Sequence, residues 1–197
     1  MSNGEGTDAF LRAFIGVEAG DAVRRGLVDV LHRLRKTGAH VSWVPEQNIH
    51  VSLAFLGNTS RERVAPLSHA LDEVAAAAAP FAVCVSGIGT FGSPRSPRVV
   101  WAGVEDSPPL QALHAAVCEQ LELLDLPVEK RRYSPHLTLG RVRSGRGRPE
   151  LVKALQACRD AVFGTMTVER VVLMQSRLLP QGAQYSVLHA AEFRAGV

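Results

Sequence analysis

Apolar residues recur along this chain at two spacings, and the change from one to the other divides it into predicted strands and helices. Alternation or a short apolar run is typical of strands, whereas apolar residues three and four apart are typical of helices. The first pattern predicts strands at 10–17, 41–44, 48–57, 81–86, 98–104, 126–140, 165–174 and 185–189. The second predicts helices that begin near residues 21, 59, 107 and 151.

Several residues with strong positional preferences mark the predicted boundaries. Asp21 is expected to cap the first helix, and Thr59 with Glu62 has capping-box spacing for the second. Ser107, which two prolines follow, is expected to open the third. The glycine- and proline-rich segment 87–97 is expected to form a loop or the end of a hairpin.

Two predicted strands contain the same short pattern, in which a hydroxyl residue follows a histidine at the second position. The pairs are His50 with Ser52 and His136 with Thr138. At strand spacing, each imidazole and its hydroxyl project from the same side. The opposite, apolar faces would hold Ile49, Val51, Leu53 and Phe55 in the first copy and Pro135, Leu137 and Leu139 in the second.

Two imidazoles and two hydroxyls suit the transfer of a phosphoryl group without a metal. Histidine has an unperturbed pKa of about 6.5, so one copy can accept a proton while another donates one. The hydroxyls can donate hydrogen bonds to phosphate oxygens, where negative charge accumulates. We therefore predict that His50 and His136 are catalytic and that Ser52 and Thr138 bind phosphate.

The order of predicted elements is similar in the two halves of the chain. Each half has a helix, a strand with a histidine motif, a second helix and two further strands. This order predicts an α+β protein with two similar lobes. If the lobes face one another, both histidine faces line a common cleft, while the order of strands in the sheet stays open.

Composition is that of an ordinary globular protein. With 197 residues, 46% hydrophobic and 21% charged, the chain is expected to form one domain over residues 1–197, with residues 1–9 flexible. A net charge of +3 mildly favours an anionic ligand and is too small to indicate general DNA binding.

Other features narrow the chemistry and the location. Cys84, Cys118 and Cys158 lack paired spacing, so we expect small buried thiols in a reducing compartment. No zinc-binding motif is present, and we expect neither a metal nor a cofactor. The polar N-terminus is unlike a signal peptide and no long apolar run occurs, so we expect a cytoplasmic protein that does not enter a membrane.

Further landmarks accompany the two motifs, and together they resemble a known family. They are Arg12 to Val17, Pro97 to Gly103, and Ser176 to Leu178 with Gly182 and Tyr185. Over most of its length the chain resembles the 2H phosphoesterases, and within them the RNA 2′,3′-cyclic phosphodiesterases, also called the 2′-5′ RNA ligase family. Ser52 stands where this family more often has threonine.

The resemblance implies a fold and an activity. The fold has two pseudo-symmetric lobes, each an antiparallel sheet with helices on its outer face, and the histidine motifs meet in a central cleft. The implied activity is hydrolysis of 2′,3′-cyclic phosphate RNA ends, or of a cyclic nucleotide, to 2′-phosphomonoesters by a monomer. His136 would act as the base and His50 as the acid, although the near-symmetry of the motifs leaves this division open.

Three more residues are expected to contact the substrate. The family has a phosphate-binding arginine at the position of Arg141, although strict alternation would place Arg141 opposite Thr138 unless the chain bends after Gly140. Arg98 could contact an RNA phosphate and Trp101 could stack on a base, against the alternatives of an exposed charge and a core aromatic. Arginines in the loop 143–148 could guide the RNA backbone.

Rival functions remain open on these residues alone. The same two imidazoles could cleave 2′,5′-linked oligonucleotides or run the reverse reaction, 2′-5′ ligation. A non-catalytic protein that binds RNA ends is an alternative from a different class. A metallohydrolase is disfavoured because neither motif contains a carboxylate.

Overall fold

The computed structural model describes residues 9–93, 95–179 and 182–194, so most of the segment predicted to be flexible, 1–9, lies outside the described residues. The strands are β1 (Phe10–Glu18), β2 (Val41–Trp43), β3 (His50–Ser60), β4 (Phe81–Ser93), β5 (Ser96–Val104), β6 (His136–Val142), β7 (Val162–Val168), β8 (Arg170–Leu179) and β9 (Gly182–Glu192). The α-helices are α1 (Asp21–Arg35), α2 (Val64–Ala76), α3 (Pro108–Leu123) and α4 (Arg148–Ala157).

One antiparallel sheet runs through the described residues in the order β7-β4-β5-β6-β3-β1-β8-β9, with β2 beside β6. At its centre β3 meets β6 through the pair formed by Val51 and Leu137. This seam separates two halves of four strands each along this order, and β2 is the ninth strand. Helices α1 and α4 pack together with α1 on β7, whereas α2 packs on α3, β8 and β9. The predicted α+β architecture is confirmed.

Each half of the sheet contains a hairpin that follows, in sequence, the histidine strand of the other half. The hairpin β4–β5 follows β3 in sequence but lies beside β6. The hairpin β8–β9 follows β6 in sequence but lies beside β1, in the half that contains β3. The two halves of the sheet are therefore not two consecutive segments of the chain.

The predicted strand 165–174 is wrong, because these residues belong to two strands. Strands β7 and β8 are separated only by Glu169, yet they lie in opposite halves of the sheet. Val168 and Val171 are both buried, so the apolar pattern continues across the break. No glycine or proline marks the point where the chain crosses over.

Three other boundaries differ from those predicted. The capping box is wrong, because Thr59 is a buried residue of β3 and a 3₁₀ turn, Arg61–Arg63, precedes α2. The described residues of segment 87–97 form the end of the β4–β5 hairpin, one of the two alternatives predicted, and β4 continues into it with Phe91 paired to Val99. Segment 126–135 contains no strand, and β6 begins at His136.

Two predicted caps have different outcomes. The Ser107 hydroxyl accepts a hydrogen bond from the Leu110 backbone N–H at 3.4 Å, so this cap is confirmed. Asp21 is the first residue of α1 and makes no capping bond; its carboxylate instead accepts from Arg24 Nη1 at 2.8 Å. The ion pair with the next turn replaces the cap.

The core lies between the sheet and the helices. The apolar backs of the two motif strands contribute Val51, Leu137 and Leu139, all fully buried. Of the cysteines, Cys158 is buried, whereas Cys84 and Cys118 are only partly buried, and all three are free thiols. In the described ranges, no helix has the length and apolar character needed to cross a membrane.

Candidate active site

The seam of the sheet brings the two histidine motifs side by side. Val51 and Leu137 are direct partners, and β3 and β6 run antiparallel. Continuing this register places His50 toward Thr138 and Ser52 toward His136. Burial lowers the pKa of His50, and the charge of His136 lowers it further, as expected for neighbouring imidazoles.

Each motif strand contains a β-bulge directly after its hydroxyl residue. In β3 the extra residue is Leu53, opposite β1, and in β6 it is Leu139, opposite β5. Both leucines are buried. A bulge adds one residue to a strand and so reverses the alternation of faces beyond it. The repeat in sequence is therefore matched by a repeat in local backbone structure.

The bulges redirect the residue that lies three positions after each hydroxyl. The prediction that Phe55 shares the apolar face of Leu53 is wrong, because Phe55 is 64% exposed and lines the cleft. Arg141 is exposed as well. Burial raises the pKa of Tyr185 in the other half of the sheet, and the charge of Arg141 opposes that rise. The bulge therefore leaves Arg141 exposed, two residues after the buried Leu139.

His50 is held between aromatic rings and two hydrogen-bond partners. Its Nδ1 lies 2.7 Å from the Asn48 carbonyl, which can only accept, so Nδ1 carries the proton and Nε2 accepts from the Ser52 hydroxyl at 3.0 Å. The ring centroid lies 4.7 Å from that of Phe14 and 5.4 Å from that of Tyr185. Burial is the main cause that lowers the pKa of His50, opposed by the bond to Asn48.

Asn48 was not singled out from the sequence as a site residue, yet it supplies the carbonyl that orients His50. Its buried side chain donates from Nδ2 to the Ala183 carbonyl of β9 at 2.7 Å. The carbonyl beside His50 is thus anchored to the outermost strand of the same half-sheet. Nearby, Gly16 allows β1 to approach closely, because an added Cβ would lie 2.6 Å from the Val51 carbonyl oxygen.

His136 has a similar hydrogen bond in a more open setting. Its Nδ1 lies 2.8 Å from the Ser134 carbonyl. The ring meets Phe91 edge-on, with centroids 4.9 Å apart at 84°, and lies 6.3 Å from Trp101. Trp101 pairs with Thr138 and packs across Gly89. Its indole Nε1 is buried without a hydrogen-bond partner among the described residues.

Two predicted contact regions lie away from the histidines. Arg98 is exposed at the end of the β4–β5 hairpin, beside Gly92, and does not line the cleft in the part of the chain that the structure describes. The loop 143–148 is tied to β2, since Arg143 Nε donates to Ser42 Oγ at 3.0 Å. The bond between His40 and Ser144 holds the same loop.

A cavity of about 800 Å³ opens beside His136. Ser52 and His136 line it together with residues of α3 and of the segment 127–135. A smaller pocket of about 220 Å³ lies beside His50 and includes Tyr185. The charge of Arg12, an exposed residue of β1 that motif analysis did not identify, also opposes the burial-driven rise in the pKa of Tyr185. Across the described ranges, no cluster of three or more histidine, cysteine or acidic side chains could hold a metal ion.

Comparison with known proteins assigns the family. The family model of the 2'-5' RNA ligase superfamily matches residues 23–178. The chain therefore belongs to the 2'-5' RNA ligase superfamily, and the predicted membership of a family of phosphodiester-cleaving enzymes is confirmed.

Relatives and solved structures agree with this assignment. The chain is 35% identical to an RNA 2',3'-cyclic phosphodiesterase of Archaeoglobus fulgidus over 92% of its length and 100% of the relative's. It is 29% identical to the protein of that name from Thermotoga maritima, over 95% of this chain and 98% of the relative. The crystal structure of TT0787 of Thermus thermophilus superimposes with a TM-score of 0.76 at 28% identity, covering 94% and 99% of the two chains. E. coli LigT complexed with 3'-AMP shares the fold, with a TM-score of 0.72 at 22% identity over 93% and 98%.

Proposed function

We propose that this protein hydrolyses the 2′,3′-cyclic phosphate end of RNA to a 2′-phosphomonoester, with His50 and His136 as its two proton-transfer groups. The observation that carries the proposal is the pair of His and hydroxyl motifs on neighbouring strands at the seam of the sheet. The names of the relatives from Archaeoglobus fulgidus and Thermotoga maritima support the same substrate.

The arrangement supports an in-line displacement at phosphorus. His136 takes a proton from water as the water oxygen bonds to phosphorus, and His50 gives a proton to the 3′ oxygen as its bond to phosphorus breaks. Each Nδ1 is engaged by a backbone carbonyl, which leaves Nε2 for the reaction. General acid and base groups of this kind typically contribute about 10²–10⁴-fold in rate.

The low pKa of His50 is compatible with its role as an acid once substrate is bound. Burial lowers its pKa and so favours the neutral ring in the free protein. A cyclic phosphate carries a negative charge, and an opposite charge nearby favours the protonated imidazole. Substrate binding would therefore raise the pKa of His50 and supply the proton that the leaving oxygen needs.

The phosphate oxygens require donors around this pair. We assign Ser52 and Thr138 to hydrogen bonds with the non-bridging oxygens and Arg141 to their charge. Trp101, beside His136, is assigned to contact with a base, and Arg98, further out on the hairpin, to an RNA phosphate. These assignments rest on the motif positions of Ser52 and Thr138, on the contact between Trp101 and His136, and on the charge of the exposed Arg141 and Arg98.

Product analysis tests the proposal. The protein is incubated with an RNA oligonucleotide that ends in 2′,3′-cyclic phosphate, in the presence of a chelator, and the position of the phosphate in the product is determined. A 2′-phosphate is the expected product. Binding without hydrolysis, or activity that returns only when metal is added, would contradict it, and a 2′,5′-linked oligonucleotide assayed in parallel identifies the rival reaction.

A further inference from the structure

We propose that the cavity beside His136 binds the nucleotide that precedes the cyclic-phosphate end, so that an RNA chain is a better substrate than a free cyclic nucleotide. This inference rests on the proposed function and adds a second nucleotide subsite to it. It is carried by the size, the walls and the charges of the cavity.

The cavity is much larger than the reaction itself requires. Its volume of about 800 Å³ lies in the range of roughly 300–1,000 Å³ typical of pockets that enclose a whole small molecule. Ser52 and His136 are only two of the residues that line it. Phe55, Phe91 and Gln111 of α3 line it as well, so a chain whose last phosphate reaches the histidines has room for another nucleotide.

Aromatic rings line this space. Phe55 is 64% exposed, which is unusual for a phenylalanine in the middle of a strand. Phe91 lies in the other half of the sheet and also lines the cavity. Exposed aromatic rings stack on nucleobases with little regard to sequence, typically for about 1–3 kcal/mol per base. The rings of Phe55 and Phe91 therefore favour contact with a base rather than with a second phosphate.

Charges of both signs are distributed along the walls. Arg131 and Arg132 are exposed on the segment 127–135, where they can contact an RNA phosphate. Glu105, Asp106 and Glu129 also line the cavity, and carboxylates repel phosphate but accept hydrogen bonds from ribose hydroxyls and base amino groups. The combination fits a nucleoside inside, with its phosphate near the arginines.

The wall is fixed without a ligand. The Tyr133 hydroxyl donates to the Ser52 carbonyl at 3.1 Å, which joins the segment 127–135 to strand β3. The Tyr133 ring stacks on His114 of α3, with centroids 3.8 Å apart and planes at 6°. A preformed wall lowers the cost of ordering a ligand.

Kinetics on substrates of increasing length test the subsite. Values of kcat/KM are measured for a cyclic mononucleotide, for a dinucleotide with a cyclic-phosphate end and for a longer RNA with the same end. Stacking of one additional base predicts a rise of about tenfold from the first to the second and little further change. Equal values for the first two would overturn the inference, whereas no hydrolysis of any of the three would instead count against the proposed function.

Two variants locate the effect in the cavity. Gln111→Trp should fill the part of the cavity beside α3. It should abolish the higher kcat/KM of the dinucleotide, while the cyclic mononucleotide is hydrolysed at the normal rate. Ala112→Trp, at the next, exposed position of α3, is the matched control and should keep the advantage. An advantage that survives Gln111→Trp would overturn the inference, as would equal decreases for both substrates in a variant that remains folded.

The arginines provide an independent readout. Arg131→Ala with Arg132→Ala should weaken binding of the dinucleotide and reduce the slope of log kcat/KM against log salt by about 0.7 for each arginine that no longer pairs with a phosphate. Arg143→Ala with Arg146→Ala, in the loop tied to β2, is the control and should leave the slope unchanged. The reverse pattern would place the RNA backbone on the other loop and overturn the assignment.

Discussion

The two histidine motifs share a backbone but not an environment. In both, Nδ1 bonds to the carbonyl two residues earlier, and in both a bulge follows the hydroxyl residue. His50, however, is enclosed by Phe14 and Tyr185 and has a lowered pKa, whereas His136 opens onto the large cavity. The repeated motif gives His50 and His136 the same local geometry, and their surroundings make the two side chains different.

The partner strands differ as well. The residue paired with the hydroxyl residue is Gly16 in one half and Trp101 in the other. The glycine admits a close strand and the enclosed ring of His50, while the indole meets Phe91 in the other half. The His50 side is thus closely packed, and the His136 side borders the cavity of about 800 Å³.

The largest expected effect comes from removing either imidazole. His50→Ala and His136→Ala should each lower kcat on cyclic-phosphate RNA by about 10²–10⁴-fold, because each variant lacks one proton-transfer group. The double variant should be little worse than the single ones, since the two groups act in one step. His32→Ala, an exposed histidine of α1, is the control; a decrease of less than about tenfold in either single variant would contradict the two-histidine mechanism.

Stability should reveal the tight packing on the His50 side. Gly16→Ala places a Cβ 2.6 Å from the Val51 carbonyl oxygen, so β1 must shift, at a cost of about 1–3 kcal/mol in the free energy of unfolding. Gly145→Ala meets only the flexible Arg148 side chain at 3.5 Å and should be nearly neutral. Denaturant titrations measure both, and equal stabilities would argue against the close approach.

Asn48, which supplies and anchors the carbonyl beside His50, should contribute more to stability and kcat than the Ser134 side chain, which precedes His136 at the same spacing. Asn48→Ala removes the donor to the Ala183 carbonyl and should cost about 1 kcal/mol of stability and reduce kcat roughly fivefold, with KM little changed. Ser134→Ala keeps the carbonyl that orients His136 and serves as the control. If both variants have the same reduced activity, Asn48 has no special positioning role.

A smaller effect concerns the titration of His50, followed by NMR in the free protein. Burial lowers its pKa below the ordinary value of 6.5, and Tyr185→Ala should move it upward by exposing the ring, whereas Phe91→Ala, beside His136, should not. Since the folded-state pKa is the lower one, protonation favours the unfolded chain. The stability that comes from burying the neutral His50 ring is therefore fully present above about pH 6.5 and is lost as the pH falls toward the lowered pKa. Titration of His50 at or above the ordinary value would contradict this account.

Predictions from the sequence succeeded where a local pattern carried the information. The alternation around His50 and His136 identified two strands with apolar backs, and helical spacing located α1 and α3. They failed where the pattern was continuous across a break, as between Val168 and Val171, and where a bulge reversed the faces, as at Phe55. A bulge changes which partner a residue faces, and nothing in the apolar pattern of one strand records it.

Residue types at short spacing were sufficient to identify the family and the α+β class, and the reactivity of the two His and hydroxyl pairs stays a prediction. Only the tertiary structure decided that the hairpins are exchanged between halves, that Phe55 is exposed and lines the cavity, and that Asn48 anchors the carbonyl beside His50. Each of these depends on contacts between residues far apart in the chain, such as the 135-residue separation of Asn48 and Ala183. Such contacts follow from strand pairing and packing, which local spacing does not specify.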